Sequence, residues 1–228
     1  MKIIDAHSHI DYITHKHQSD VVGTVCCTTD ENQWNKLKVL MQQDKNIYGA
    51  FGIHPWFVDG VIDDFEKRLA KLLVQNSKYM IGEIGLDKYK PNMKHQEDVF
   101  IRQFNLAVKL KRPVMLHCVG AWDKILNVLK KYKKYELPMV IVHAFNANED
   151  ILIKLLHHDN IMFSFNKIGV YGRNYRIEQI PINRILLETD GKADVSLVEN
   201  MEIIAHIKMT ENADEIIFNN MQRILNNG

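Results

Sequence analysis

Metal-binding residue types recur at the ends of short apolar runs in this chain of 228 residues. His7 and His9 follow the first run two residues apart, so in an extended strand both imidazoles project to one side and can reach one ion. Later runs carry the other candidate ligands, which are Glu83, His117, His143 and Asp190. Side chains so placed meet at one site if the runs are parallel strands of a barrel, because barrel active sites lie at the carboxyl ends of the strands.

Two acidic residues are suited to the chemistry of such a site. Glu83 lies in the apolar, glycine-flanked run Met80–Asp87, where burying a carboxylate is costly unless a cation or hydrogen bonds compensate it. A carboxylate can also bridge two ions, which a neutral imidazole cannot do. Asp190 ends the last run, where it can act as a ligand, as a general base on a metal-bound water, or as both. Glu188 points to the same side and is a lesser candidate for a supporting contact.

A second set of residues falls in the loops that follow these runs and is suited to contact a substrate. It comprises His54, Lys88, Lys167, Arg173, Trp56 and Trp122. The histidine precedes Pro55, and it either contacts an anionic substrate or anchors a stiff loop. The cations either meet phosphate oxygens or are solvated. The tryptophans either line a substrate groove or pack over helix ends.

Eight short runs rich in Ile and Val predict strands that are buried on both faces of a parallel sheet. They are Lys2–Ala6, Val21–Thr28, Ile47–Ile53, Tyr79–Ile84, Pro113–His117, Met139–His143, Ile161–Phe165 and Arg184–Glu188. Amphipathic segments separate most of these runs, and this alternation predicts an α/β fold of the (β/α)8 barrel type. A doubly wound open sheet is the alternative, but its ligands would concentrate at a single switch point.

The helices of this barrel are predicted from apolar stripes and capping residues. One stripe runs through Ile62, Phe65, Leu69, Leu72 and Leu73. Asn148 is predicted to cap a later helix, and Asn212 with Glu215 resembles a capping box that opens the last one. The crossovers Asp11–Asp20 and Val170–Ile180 show no clean helical stripe.

Bulk composition excludes several classes of protein. Lys and Arg total 29 against 28 for Asp and Glu, which argues against binding nucleic acid through net charge alone. Cys26, Cys27 and Cys118 are too few for a disulfide framework, so we expect reduced core thiols in a cytoplasmic protein. No run approaches the ~20 apolar residues of a membrane span. No linker marks a boundary, so one domain over residues 1–228 is predicted.

Six motifs in order give the chain a resemblance to a known family. They are Asp5-Ala6-His7-Ser8-His9, Gly52-Ile53-His54-Pro55, Ile81-Gly82-Glu83-Ile84-Gly85-Leu86-Asp87, Leu116-His117-Cys118, Val142-His143-Ala144-Phe145 and Leu187-Glu188-Thr189-Asp190. Together they resemble the motifs of TatD-type metal-dependent hydrolases, which belong to the amidohydrolase-like barrels. The resemblance implies a distorted TIM barrel with a two-metal site and, in characterised members, deoxyribonuclease activity that often removes nucleotides from a 3′ end.

The same resemblance implies a ligand set. His7, His9 and Asp190 would hold one ion, His117 and His143 would hold the other, and Glu83 would bridge them. The chain departs from the family in the residues that follow three of the ligands. Cys118-Val119 replaces a common Ser-Arg, Ala144-Phe145-Asn146-Ala147 replaces Cys-Phe-Ser-Gly, and a proline is missing shortly after the last aspartate.

The function expected from these residues is phosphodiester hydrolysis by two divalent ions about 3.5–4 Å apart. A ligand set rich in imidazole favours Zn, Mn or Fe over Mg, although Mg²⁺ can support turnover in vitro. DNA or another phosphodiester is the expected substrate, and the protein is expected to be a monomer or weak oligomer without an obligate protein partner or a membrane. One alternative is an amidohydrolase-like enzyme that cleaves a C–N or lactone bond. Another is an inactive barrel that binds a partner.

Overall fold

Eight parallel strands follow one another around a single sheet in the computed structural model, which describes residues 1–12, 19–167 and 175–226. The strands are β1 (Ile3–His9), β2 (Val21–Cys27), β3 (Ile47–Phe51), β4 (Met80–Asp87), β5 (Val114–Val119), β6 (Val140–Val142), β7 (Ile161–Phe165) and β8 (Ile185–Leu187). Each strand pairs with the next one in the chain, from β1 to β8. This consecutive order rules out the doubly wound sheet, in which the strand order reverses at a switch point.

Helices separate most of the strands. They are α1 (Asn32–Gln43), α2 (Phe65–Leu73), α3 (Met93–Leu110), α4 (Trp122–Leu129), α5 (Glu149–Leu156), α6 (Tyr175–Gln179), α7 (Leu197–Lys208) and α8 (Ala213–Asn226). The predicted cap of α5 is confirmed, because the Asn148 side chain accepts a hydrogen bond from the backbone N–H of Ile151 at 3.0 Å. No helix among the described residues is both long and apolar enough to cross a membrane.

Alternating residues of the strands divide the apolar core into two layers. The inner layer takes residues from every strand, which are Ile4, Val25, Ala50, Met80, Met115, Ile141, Met162 and Leu186, with Ala6 and Cys27. Their chain neighbours belong to the outer layer, where the helices pack. Cys26 and Cys27 accordingly face different layers, as an extended strand requires. Burial raises the pKa of all three thiols, that of Cys118 to about 12.

The two ends of the sheet approach each other, which makes the sheet a nearly closed, distorted barrel. Beyond β8, the backbone N–H of Asp190 donates to the carbonyl oxygen of His7 in β1 at 2.9 Å. The last helix joins the inner layer through Met221, Ile224 and Leu225. The Asn220 side chain donates to the carbonyl oxygens of Ile182 and Ile185 beside the start of β8. Helix α8 therefore covers the amino-terminal end of the barrel and leaves the carboxyl ends of the strands open for a site.

Several predicted boundaries were wrong. Strand β1 was predicted to end at Ala6 but continues to His9, and β4 was predicted to end at Ile84 but continues to Asp87. The added residues are polar or glycine except for Leu86, so the continuous apolar pattern ended before the hydrogen-bonded ladder did. Ile62 was assigned to the stripe of α2 but lies before the helix and is 68% exposed. The first crossover begins with a 3-10 turn at Ile10–Tyr12, and much of both weak crossovers lies outside the described residues.

Candidate metal centre and active site

A bulge in β1 turns both histidines of the first motif toward the inside of the barrel. Ile4 faces the inner layer, so strict alternation would turn Ser8 inward and His7 outward. The register between β1 and β2 shifts between Asp5 and Ser8, however, which inserts one extra residue into β1. As a result, the Nε2 atoms of His7 and His9 lie 3.3 Å apart.

Strand β4 places Glu83 by the same means. Met80 faces the inner layer, and the register between β4 and β5 shifts between Ile81 and Ile84, so Glu83 turns inward and is only 2% exposed. Gly85 follows with a φ of +152°, and a Cβ there would overlap the carbonyl oxygen of His117. Only glycine allows the backbones of β4 and β5 to approach this closely.

The two carboxylate oxygens of Glu83 face different groups of ligands. Oε2 lies 3.3 Å from His7 Nε2 and 3.6 Å from His9 Nε2. Asp190 Oδ1 lies on the same side, 3.6 Å and 3.8 Å from those two nitrogens. Oε1 lies 2.7 Å from His117 Nδ1, 3.2 Å from His143 Nε2 and 3.4 Å from His54 Nε2. Glu83 therefore stands between two sets of donors.

The spacing of these donors fits a metal ion. Atoms held about 2.0–2.2 Å from one tetrahedral ion lie roughly 3.3–3.6 Å apart. The three distances among His7, His9 and Glu83 Oε2 fall in that range. A cluster of imidazoles and carboxylates with such spacing is compatible with divalent cations.

Charge interactions in the cluster outweigh the effect of burial on its acids. Burial raises the pKa of Glu83, but the nearby imidazoles of His143, His54 and His7 hold it well below its usual range. Asp190 behaves alike, because its hydrogen bond with His9 and the charge of His7 outweigh burial and lower its pKa. Both carboxylates are thus ionised at neutral pH, as metal ligands must be.

The imidazoles divide into two electrostatic classes. Burial lowers the pKa of His7 and of His54. Burial also acts to lower the pKa of His143, but the charges of Glu83 and Glu188 outweigh it and raise that pKa well above the usual range. Burial likewise acts to lower the pKa of His9, but its hydrogen bond with Asp190 and the charge of Glu83 outweigh burial and raise that pKa. The negative charge of the cluster therefore favours a positive charge among its imidazoles.

Comparison with known proteins assigns the chain to a family. Residues 4–226 match the family model described as TatD related DNase. The chain belongs to this family. Its six predicted ligand positions lie on or shortly after β1, β4, β5, β6 and β8. The family and fold predicted from the motifs are confirmed, and the chain is assigned to the metal-dependent hydrolases.

Two curated relatives of this TatD chain carry nuclease names. The human protein "3′-5′ RNA nuclease TATDN2" is 31% identical over 160 residues, which are 67% of this chain but only 21% of the human protein. The "3′-5′ ssDNA/RNA exonuclease TatD" of Yersinia pseudotuberculosis is 27% identical over 188 residues, 76% of this chain and 69% of that protein. This chain therefore spans about a fifth of the human relative and most of the bacterial one.

A solved structure supports the fold. YJJV, a TatD homolog from Escherichia coli K12, superposes with a TM-score of 0.78 at 23% sequence identity, and the alignment covers 99% of this chain and 95% of that one. At this level of identity the similarity shows the barrel architecture alone. The candidate metal site is therefore described by the interatomic distances of this chain alone.

Buried residues around the cluster hold the candidate ligands in place. Glu188, the lesser candidate, is fully buried, and its Oε1 atom lies 3.1 Å from His143 Nδ1 and accepts from the backbone N–H of Ala144 at 2.7 Å. The hydroxyl of Ser164 donates to its other oxygen. Such partners fix the orientation of a ligand histidine. Glu188 therefore sets which nitrogen of His143 faces Glu83.

Asp5 has a comparable role that sequence reasoning missed. Its side chain accepts hydrogen bonds from the backbone N–H groups of His7 and Thr189 and from the Thr189 hydroxyl. It thereby ties β1 to the segment that carries Asp190. Burial raises the pKa of Asp5 to about 7, against the opposing effect of those hydrogen bonds. The residue stands in a quoted motif, but nothing local shows that its partner is 184 residues away.

His54 lies closer to the cluster than its predicted contact with substrate required. Its Nε2 atom is 3.4 Å from Glu83 Oε1, and it forms one group of potential ligands with Glu83 and His117. The Nδ1 atom accepts from the backbone N–H of Trp56, which fixes the ring. The Gly52-Ile53-His54-Pro55 motif placed the residue at a strand end but gave no sign of this proximity.

The predicted substrate-contacting residues have other neighbours. Lys88 is exposed with its side chain over Gly120, and Lys167 pairs with Asp194 at 2.7 Å on the surface. Trp122 packs against Phe145 with ring centroids 5.9 Å apart, which favours the packing interpretation. Arg173 lies outside the described residues. These residues are not brought into the metal-binding cluster, and a role in substrate binding stays a prediction.

Proposed function

We propose that the chain hydrolyses phosphodiesters of single-stranded nucleic acid, from a 3′ end, with two divalent ions held on opposite sides of Glu83. The division of the imidazoles between the two oxygens of Glu83 is the observation that carries this proposal. The names of the human and Yersinia relatives support RNA or single-stranded DNA as the substrate. The imidazole-rich donor set favours Zn, Mn or Fe as resident ions.

The chain's own residues would divide the work as follows. His7, His9 and Asp190 would hold one ion, while His117 and His143, with His54 nearby, would hold the other. Bound divalent ions lower the pKa of water and neutralise charge on phosphoryl oxygens. Glu188 and Asp5 would keep the ligands in orientation through the contacts described above.

Asp190 is suited to move the proton. Its side chain is 19% exposed, whereas that of Glu83 is 2% exposed, so it is the carboxylate of this pair that water can reach. Its lowered pKa keeps the carboxylate ionised and able to orient the attacking water. Lys192 pairs with its second oxygen and leaves the first directed toward His7 and His9. We therefore assign it the role of general base as well as ligand.

The test is an assay of the metal-loaded protein on three kinds of substrate: a single-stranded oligodeoxynucleotide, an oligoribonucleotide and a panel of cyclic amides. We expect release of 3′-terminal nucleotides from one or both oligonucleotides and no turnover of the amides. Asp190→Asn should lower kcat by at least ~100-fold, the scale of losing one group that acts in the transition state. Asp98→Asn, at an exposed position of α3, is the matched control and should match the unmodified protein.

Hydrolysis of the amides without hydrolysis of either oligonucleotide would contradict the proposed substrate while keeping the metal site. Full activity of Asp190→Asn would contradict the role of that residue. A metal-loaded protein that cleaves none of the substrates would favour the inactive barrel.

A further inference from the structure

Two exposed aromatic residues stand at the mouth of the barrel beside the metal-binding cluster. Trp56 follows β3 in a 3-10 turn and is 54% exposed, and Tyr89 follows β4 and is 74% exposed. The Trp56 ring lies 5.3 Å from the ring of His54, measured between centroids. Because His54 Nε2 is 3.4 Å from Glu83, this aromatic surface begins one side chain away from the proposed catalytic centre.

One buried carboxylate anchors both aromatic residues. Asp87, the last residue of β4, accepts from the indole N–H of Trp56 at 2.8 Å through Oδ2. Its Oδ1 atom accepts from the backbone N–H of Tyr89 at 2.9 Å. Gln96 holds the strand end in turn, because its side chain accepts from the backbone N–H of Asp87. The indole is thus fixed in orientation although about half of its surface is open to solvent.

Lysines lie against the same two rings. The Lys90 ammonium is 4.0 Å from the centroid of the Trp56 ring, and that of Lys88 is 5.1 Å from the centroid of the Tyr89 ring. Each contact places a cation where a ring also offers a flat apolar surface. A flat ring beside a cation matches the two parts of a nucleotide, whose base stacks on aromatic faces and whose phosphate is anionic.

Charge fixes the side on which a phosphate can lie. The cavity on the α1 side of Trp56 is lined by Asp30, Glu31 and Asp59 together with Phe57. Arg68 pairs with Glu31, but the other two carboxylates leave the lining negative, so it repels an anionic backbone. Lys88 and Lys90 lie on the chain segment that leads away from β4. A strand that enters the site would therefore keep its phosphates near the lysines.

We propose that Trp56 and Tyr89, with Lys88 and Lys90, form a subsite that stacks an unpaired nucleobase next to the scissile phosphate. This inference rests on the proposed function. In it, the rings of Trp56 and Tyr89 are the feature that makes the site prefer single-stranded over double-stranded nucleic acid. A base inside a duplex already stacks on both neighbours and is not free to lie on the indole. An unpaired end exposes a base face at no such cost.

The test compares two single-stranded substrates that differ at one place, an intact 3′-terminal nucleotide and an abasic one. The unmodified protein should prefer the intact end. Trp56→Leu should lower this preference, measured as the ratio of kcat/KM values, by about tenfold, the scale of one lost base–aromatic stack. The loss should appear in KM more than in kcat. Trp56→Phe keeps an aromatic plane and should retain most of the preference.

The chain offers a matched control at the opposite end of the barrel. Tyr135 precedes β6, is 77% exposed and has the Lys133 ammonium 5.6 Å from its ring centroid. It therefore resembles the Tyr89 pair in chemistry but lies far from the carboxyl ends of the strands. Tyr135→Leu should leave the preference unchanged.

Binding of a hydrolysis-resistant phosphorothioate oligonucleotide separates this inference from the proposed function. If the protein cleaves no phosphodiester, the proposed function fails, yet weaker binding by Trp56→Leu than by Tyr135→Leu would still support the stacking subsite. Unchanged preference and unchanged binding in Trp56→Leu would overturn the subsite. So would an equal loss on intact and abasic ends, since that result indicates damage to the site as a whole.

Discussion

Glu188 is a fully buried residue that contacts His143, one of the candidate ligands. Its carboxylate contacts His143 Nδ1 and accepts hydrogen bonds from the Ala144 backbone N–H and the Ser164 hydroxyl. The Gln side chain has nearly the same shape, but it replaces one acceptor oxygen with a donor and removes one of the two charges, those of Glu83 and Glu188, that raise the pKa of His143. The Gln nitrogen can donate to the Ser164 hydroxyl, so the loss of the negative charge beside His143 is the main consequence of the substitution.

We expect Glu188→Gln to lower kcat/KM by roughly 10–100-fold, as is typical when the outer partner of a metal ligand is removed. Metal affinity, measured by titration against a competing chelator, should fall together with activity because a neutral amide holds and polarises the His143 ring less strongly than a carboxylate does. The control is Glu202→Gln on the exposed face of α7. Activity and metal affinity equal to those of this control would show that Glu188 does not position His143.

At the same scale, residue types and spacing were enough to predict which side chains would meet. His7, His9, Glu83, His117, His143 and Asp190 were singled out because each stands near the end of a predicted strand, and the fold brings them within contact distance. Asp5 and Asp87 were missed because their importance lies in hydrogen bonds to distant residues. The local sequence shows the chemical type of a side chain but not which distant residue it will hydrogen-bond in the folded chain.

At the scale of secondary structure, two bulged strands decide the site. Each bulge shifts the alternation by one residue, which brings His7 and Glu83 to the inner face. The apolar pattern predicted the strands but could not predict the bulges, because an inserted residue is visible only in the pairing with a neighbouring strand. The same limit explains why β1 and β4 are longer than predicted.

A substitution at Gly85 tests whether the close approach of β4 and β5 matters for stability and metal binding. Its positive φ and the close approach of the His117 carbonyl oxygen to the place that a Cβ would occupy leave no room for a side chain. Gly85→Ala should lower the free energy of unfolding by at least about 3 kcal/mol, since backbone strain and overpacking add. Metal binding should weaken too, because β4 and β5 carry Glu83 and His117.

Urea unfolding of Gly85→Ala should be compared with that of Gly60→Ala. A Cβ at Gly60 has no atom within 4 Å, so this control substitutes the same residue type without a clash. Similar stability of the two variants would contradict the argument that close approach of β4 and β5 requires glycine.

At the scale of the whole molecule, eight buried runs that alternate with amphipathic segments predicted the barrel correctly. Parallel strands need crossover connections, and their regular recurrence leaves few topologies. The position of α8 was not predicted, although the start of this helix was predicted from Asn212 and Glu215. Its Met221, Ile224 and Leu225 fill the amino-terminal end of the barrel, and only the assembled fold shows that this end needs a cover.

The barrel and its two bulges together place Glu83 between two sets of imidazole nitrogens, one facing each carboxylate oxygen. Metal content per chain, measured by elemental analysis after dialysis against a metal buffer, tests this arrangement most directly. We expect two divalent ions per chain in the unmodified protein and in the exposed control Glu211→Gln. Glu83→Gln should hold one ion or none, because both sites lose a shared anionic ligand. A chain that binds no ion, or a Glu83→Gln variant that still holds two, would contradict the account.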